Sequence, residues 1–304
     1  MQTIGIIGGT GFTGSCISSL LNEKGYKVII FTRNVARNKP NGNISYAHWN
    51  ADKGTCDINA LKQLDTAIHL AGAGIADKRW TPARKEEILT SRVKSTSFLI
   101  EQLRQYAPGC KTFISASAIG FYGPDGQNTP FDETAAAYPD FLGDTCKLWE
   151  AESHKGESLM RTVILRFGIV LGKESGAFPQ LAGPLSFGVM PIAGGGEQVM
   201  SWIELSDLAG LVLFAVENAG VSGTYNAVSP NPVKLKDLMR TIAKIKGGIK
   251  IPVPVPAFIL KIVLGELSIE VLKSCTVSAA KIEKKGFKFR FPLINDAVKH
   301  ILAT

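Results

Sequence analysis

Two hydroxyl side chains stand near each other at the end of an apolar run: Ser117 and Tyr122, in Ser115-Ala116-Ser117-Ala118-Ile119-Gly120-Phe121-Tyr122-Gly123. A serine can hydrogen-bond a substrate oxygen and a tyrosine can give it a proton, so these two form the candidate catalytic set. A second set is made of glycine. Gly8, Gly11 and Gly14 recur at every third position between the run Thr3-Ile4-Gly5-Ile6-Ile7 and a helical pattern over 16–22. Strand, glycine turn and helix, in that order, are the context a dinucleotide-binding loop requires. Gly8 suits the tight turn, Gly11 lets the backbone approach a pyrophosphate, and Gly14 lets the helix pack close to the strand. The helix N-terminus then faces the phosphates with free N–H groups and the positive end of its dipole. Thr10, Phe12 and Thr13 complete the candidate loop, whose spacing differs from the G-x-G-x-x-G form.

The next apolar run, Tyr26 to Phe31, ends at Thr32-Arg33-Asn34. An acidic residue at this position holds the ribose 2′-hydroxyl of NAD. Arg33 stands here instead, with Arg37 one helical turn later, and a guanidinium can grip a 2′-phosphate. The expected cofactor is therefore NADP, with NAD as the alternative. Asn50, Leu70, Ala71, Gly72 and Arg166 complete the candidate cofactor contacts.

These residues need elements to hold them. Strand signals at 26–31, 44–49, 66–70, 111–115 and 162–166 alternate with helical patterns at 82–106 and 141–154. Thr81 caps the first of these helices and Pro82 takes its first position. This alternation predicts an α/β fold, a doubly wound parallel sheet with a smaller C-terminal substrate or lid domain. Residues 1–170, joined by 200–228, are expected to form the dinucleotide-binding Rossmann domain; 171–199 and 229–304 are expected to form the smaller one. A helix is expected over 206–217 and a strand over 223–228.

Composition narrows the partners. The 304 residues carry a formal net charge of +8, spread along the chain with no basic stripe interleaved with stacking aromatics. A solvated basic face is the expectation, and nucleic acid is not an expected partner. No apolar run reaches the roughly 20 residues that span a bilayer, and the chain enters a strand at once, so neither a membrane nor a signal peptide is expected. Five dispersed cysteines fit free thiols in a reducing cytoplasm, and four scattered histidines argue against a metal site. The expected partner is a small-molecule substrate, and the oligomeric state stays open.

Taken together, the segments Gly8 to Gly14, Leu70-Ala71-Gly72 and Ser117…Tyr122-Gly123 make the chain similar to the extended short-chain dehydrogenase/reductase superfamily. It resembles more closely an atypical branch, epimerase-family proteins described as sugar-nucleotide epimerases. That likeness is carried by Ile75-Ala76-Asp77-Lys78-Arg79-Trp80-Thr81, Ser91-Arg92-Val93, Trp149-Glu150, Arg166-Phe167-Gly168-Ile169-Val170-Leu171-Gly172, Met200-Ser201-Trp202-Ile203 and Pro230-Asn231-Pro232-Val233. The run from Val253 to Phe289 resembles the branch's own C-terminal domain of unknown role.

The resemblance implies a Tyr-x-x-x-Lys pair, in which the lysine lowers the tyrosine pKa for proton transfer. None of the six tyrosines has a lysine four residues on. By similarity the pair belongs in the helix before Trp149-Glu150, where this chain has Leu142 and Cys146. Leucine carries no proton, and cysteine is no fixed cation. Ser117 and Tyr122 remain as replacements; Tyr122 has the alternative of packing under the nicotinamide. Cys146 reads as a small buried helix residue, with a nucleophile as the alternative, Trp202 as core or pocket wall, and Glu150 as part of a solvated helix face. Asp77, Lys78, Arg79 and Trp80 read as lining a polar pocket for an anionic substrate, with a helix-capping surface loop as the alternative. The expected function is an oxidoreductase or sugar-nucleotide epimerase on a small polar substrate. The alternative is a non-catalytic NADP-binding redox sensor or interaction protein.

Overall fold

A computed structural model describes residues 1–126 and 129–304. In the first half, β1 (Thr3–Ile7) leads into α1 (Phe12–Glu23), followed by β2 (Lys27–Thr32), β3 (Ile44–Asn50), the short β4 (Thr55–Cys56) and α2 (Ile58–Leu61). Then come β5 (Thr66–His69), α3 (Pro82–Tyr106), β6 (Thr112–Ala118), α4 (Phe141–His154) and β7 (Arg161–Phe167). The second half contributes β8 (Ile169–Leu171), α5 (Ala177–Ala182), β9 (Val189–Ala193), β10 (Val199–Met200), β11 (Trp202–Glu204), α6 (Leu205–Glu217), β12 (Gly223–Ala227) and β13 (Val233–Lys234). It closes with α7 (Leu235–Lys246), β14 (Ile251–Val255), α8 (Ala257–Leu264), α9 (Ser268–Leu272), α10 (Ala280–Lys284) and α11 (Ile294–Ala303).

Eight strands form one sheet in the order β12-β7-β6-β5-β1-β2-β3-β4, and every neighbouring pair is parallel except β3–β4. This is the doubly wound Rossmann arrangement that alternating strands and helices predict. The strand order reverses at β1, which lies between β5 and β2. That reversal opens a crevice beyond the C-terminal strand ends, where such sheets bind ligands. Both faces of the sheet are covered, which is why its strands read as continuous apolar runs rather than alternating ones. Ile17 and Leu21 of α1 and Leu208, Leu211 and Val212 of α6 pack on Ile4, Ile6 and Ile30. Leu99, Ile100 and Leu103 of α3 pack on Ile7, Ile29 and Phe31 across the sheet. A third cluster gathers Phe178, Leu185, Trp202, Leu238, Ile242 and Ile301 outside the sheet.

Several boundaries differ from the sequence expectation. Helix α1 starts at Phe12 rather than near Cys16, so Gly14 lies inside it. The strand expected over 111–115 runs Thr112–Ala118, because its pairing with β7 continues to Ala118 opposite Phe167. Ser117 therefore belongs to the strand and not to the loop after it. The strands β4, β8, β10, β11 and β13 are too short to be read from the sequence, and in the pair β9–β14 Pro191, Pro252 and Pro254 obscure the strand pattern.

Candidate functional site

The glycine loop takes the shape its residue types demand. Gly8 has φ +89°, and a Cβ there would lie 2.8 Å from the Ala71 nitrogen at the exit of β5. A side chain on Gly14 would collide with the Gly8 carbonyl oxygen, so the helix can approach the strand only as glycine. Gly11 differs: a Cβ would meet only the Gly8 oxygen, at 3.4 Å, and otherwise point into open space. The turn closes through Gly11 N–H donating to Gly8 O at 3.1 Å. Helix α1 then begins with no side-chain cap and no acidic residue in its first turn. Uncapped N–H groups beside an open glycine are the cradle an anion needs, so the residues present fit a dinucleotide pyrophosphate. Thr10 is exposed and Thr13 half-buried on this loop, while the Phe12 ring turns away to pack against Gly172 and Gly176.

The other candidate cofactor residues fall at strand exits. Arg33 and Arg37 are exposed just after β2, with no ion-pair or hydrogen-bond partner for Arg33 among the described residues. Asn50 accepts the Lys53 N–H at 3.2 Å and so braces its own turn. Leu70 N–H donates to Ile7 O at 2.8 Å, which ties the Leu70-Ala71-Gly72 exit to the end of β1.

Around β6 and β7 the structure joins residues that are far apart in sequence. Ser117 Oγ donates to Glu150 Oε1 at 2.6 Å. Arg166 grips the same carboxylate with Nε and Nη2, both at 2.8 Å, and donates through Nη1 to the Tyr122 hydroxyl at 2.8 Å. Tyr122 in turn donates to Asn226 Oδ1 at 2.7 Å. The guanidinium carbon of Arg166 lies 3.5 Å from the Phe121 ring centroid, and Tyr122 stacks on Phe131 at 5.2 Å. One expectation is corrected here, the one for Glu150. Glu150 is not on a solvated face: it is buried, because the facing strand β7 supplies Arg166 to neutralise it. Arg166, expected to contact the cofactor, is itself buried, and all three of its guanidinium nitrogens are taken by Glu150 and Tyr122. Burial opposes its charge, but the Glu150 carboxylate outweighs burial and holds its pKa above the ordinary arginine value.

Tyr122 is fully buried, and burial pushes its hydroxyl up to about 12 despite the opposing pull of Arg166 and Asn226. It is neutral at physiological pH, with its one proton directed at Asn226. That placement gives it a packing and bracing role at the strand end; the proton-donor role expected for it meets a hydroxyl already committed on both sides.

The positions where the resemblance expects tyrosine and lysine, Leu142 and Cys146, lie on the buried face of α4 one turn apart, and Glu150 follows one turn later. Leu142 packs against Gly120, where an added Cβ would lie 3.2 Å away. Burial pushes the Cys146 thiol up to about 12, Glu150 adding to the effect, so Cys146 is a protonated, inert packing residue. Trp202 is core, its Nε1 donating to Asn231 O at 2.9 Å.

The loop expected to form a polar pocket is largely occupied with holding itself and the C-terminal elements. Asp77 pairs with Arg84 at 3.5 Å, Arg79 donates to Ile262 O at 3.2 Å, and Trp80 donates to Ile75 O at 2.7 Å. Lys78 alone of the four is exposed without a partner among the described residues. Sequence reasoning missed Asn226 and Glu133, whose Oε1 accepts the Asn226 N–H at 2.8 Å; nothing in their spacing signals the contact. The available signal for Glu150 was its place eight residues after Leu142, on the same helix face. Among the described residues no helix is long and apolar enough to cross a membrane, and no group of three His, Cys, Asp or Glu could hold a metal ion.

Comparison with known proteins fits this geometry. The NAD dependent epimerase/dehydratase family matches residues 4–227, and a domain of unknown function (DUF1731) matches 255–301. The epimerase family protein YfhF of Bacillus subtilis is 37% identical over 305 residues, spanning 99% of this chain and 98% of the relative. The epimerase family protein ML0860 of Mycobacterium leprae is 30% identical over 301 residues, spanning 98% and 94%. The human epimerase family protein SDR39U1, solved with NADPH, superposes with a TM-score of 0.89 at 27% identity, covering 100% of both chains. The chain belongs to the NAD dependent epimerase/dehydratase family.

Proposed function

We propose that the protein binds NADP(H) across the C-terminal edge of its sheet and acts as an oxidoreductase or epimerase on a small polar substrate. The open Gly11 cradle, with the exposed Arg33 one strand away, carries this reading. The first turn of α1 holds the pyrophosphate, and Arg33 pairs with the 2′-phosphate. When bound, the nicotinamide supplies hydride exchange with a substrate carbon. Ser117 has a defined polarity. Its proton goes to the Glu150 carboxylate, which also accepts from Arg166, so its oxygen is left as an acceptor. An acceptor orients a substrate hydroxyl, whereas a donor would polarise a carbonyl. The exposed Lys78 supports an anionic substrate.

A second reading, a redox sensor that holds NADP(H) without turnover, draws on one observation. Both the Tyr122 hydroxyl and the Cys146 thiol are buried and held protonated, which leaves no mobile proton carrier between them. A screen of phosphorylated and nucleotide-linked alcohols and ketones, followed by NADPH absorbance, separates the two. Turnover with any of them supports the enzyme. NADPH binding without turnover across the panel supports the sensor, and failure to bind NADPH removes both.

A further inference from the structure

If the crevice is to have a fixed cation beside the nicotinamide half of the cofactor, Cys146 cannot supply it. Helix α3 brings one from the other side. Arg92 faces the residues that leave β5, and its Nη1 donates to Ala73 O at 3.0 Å and to Ile88 O at 2.9 Å. Its guanidinium carbon lies 5.2 Å from the Trp149 ring centroid on α4. A Cβ on Gly72 would lie 3.0 Å from that same carbon, so the strand exit admits the guanidinium closely only because it is glycine. The charge is felt on both sides of the crevice floor, by Cys146 on α4 and by His69 at the end of β5.

Three arginines surround this edge, and they differ in what they have left to give. Arg166 has every nitrogen paired. Arg84 spends its terminal nitrogens on Glu87 and Gly74, and its Nε is sealed from solvent. Arg92 spends only Nη1; Nε and Nη2 have no protein partner among the described residues, and neither is sealed from solvent. These two nitrogens share one edge of the planar guanidinium and present their N–H groups side by side. Such an edge matches a pair of neighbouring oxygens. Arg33 assigns the adenosine half of the cofactor to the β2 side, so the opposite half crosses β1 towards Gly72 and Ser117.

We propose that Arg92 is a binding residue of the dinucleotide site, its Nε–Nη2 edge holding the ribose hydroxyls of the nicotinamide half. This rests on the NADP(H) reading above. Arg92 replaces the charge of the missing lysine from a neighbouring helix, but an arginine does not release its proton, so it orients and supplies no proton.

The test compares two ligands by calorimetry: NADPH, and adenosine 2′,5′-bisphosphate, which has no nicotinamide half. Arg92→Gln is expected to weaken NADPH by about tenfold to a hundredfold, the scale of a lost charged hydrogen bond, while leaving the bisphosphate within about twofold. Arg92→Lys keeps the charge without the fork, folds with the same circular dichroism spectrum, and is expected to weaken NADPH less than Arg92→Gln does. Arg33→Ala is expected to weaken both ligands. Unchanged NADPH affinity in Arg92→Gln overturns the proposal. Equal weakening of both ligands also overturns it and makes Arg92 a prop for the Gly72–Ala73 backbone. Failure of the unaltered protein to bind either ligand is a different result, which removes the NADP(H) reading itself.

Discussion

Arg33 and Arg166 show how one residue type takes opposite roles according to its surroundings. Arg33 is exposed and has no acid to neutralise it among the described residues, so its charge is available to a ligand. Arg33→Ala should therefore erase a preference for NADPH over NADH of about 1–3 kcal/mol, measured as the ratio of the two dissociation constants. An unchanged ratio would remove Arg33 from the site. Arg166 is buried with its charge consumed by Glu150 at 2.8 Å. Arg166→Met leaves that carboxylate buried and alone, at an expected loss of about 3–5 kcal/mol in urea unfolding. The double variant Glu150→Leu with Arg166→Met should lose less than either single change, since no uncompensated charge remains. A double variant as unstable as the sum of both singles would show that the pair does not act as a unit.

On the proposed reading the β1–α1 turn positions the cofactor, and its glycines are not equivalent. Gly11→Val directs its side chain into the open space of the cradle, where only the Gly8 oxygen is near. NADPH binding should vanish while the circular dichroism spectrum and melting temperature are largely kept. Gly14→Val forces the helix off the strand, because its side chain meets the Gly8 carbonyl. Its melting temperature should fall steeply whether or not cofactor is present. Equal melting temperatures for the two variants would contradict the division of labour within the turn. Helix α4 shows the same economy of position: Leu142, Cys146 and Glu150 follow one another on one buried face, and Glu150 pairs there with Ser117 and Arg166.

At the scale of the whole molecule, His69 ties stability to acid pH. It lies fully buried at the end of β5, with Nε2 2.9 Å from Ser95 Oγ and no partner for Nδ1 among the described residues. Burial, with the Arg92 charge adding to it, lowers its pKa from 6.5 to about 3. The folded state thus refuses a proton that the unfolded chain accepts below pH 6.5. Stability is unaffected above that value and is lost progressively as pH falls towards 3. Urea midpoints measured from pH 7 down to pH 4 should show this slope, and His69→Gln should flatten it. An equal slope in the variant would assign the acid sensitivity to other groups.

Local chemistry wrote much of this protein into its sequence. The β1–α1 turn was legible because glycine is the residue that tolerates φ +89° at Gly8 and the close approach at Gly14. Helix α3 was legible from Thr81 and Pro82, and the observed cap, Arg84 N–H to Thr81 Oγ1 at 3.2 Å, is the contact those residues favour. The buried parallel strands announced themselves as apolar runs because both of their faces are covered. What the sequence left open were the partnerships across the sheet edge. Glu150 and Arg166 are both charged and 16 residues apart, and each alone reads as a surface residue or a ligand contact. Only the pairing of β6 with β7, and the packing of α4 over both, places them 2.8 Å apart and makes their burial possible. Tyr122 and Asn226 are separated by 104 residues, and no periodicity links them until β12 pairs with β7. Charge on a residue is a property of the sequence, but whether that charge is spent inside the fold or kept for a ligand depends on which distant chain segment arrives beside it.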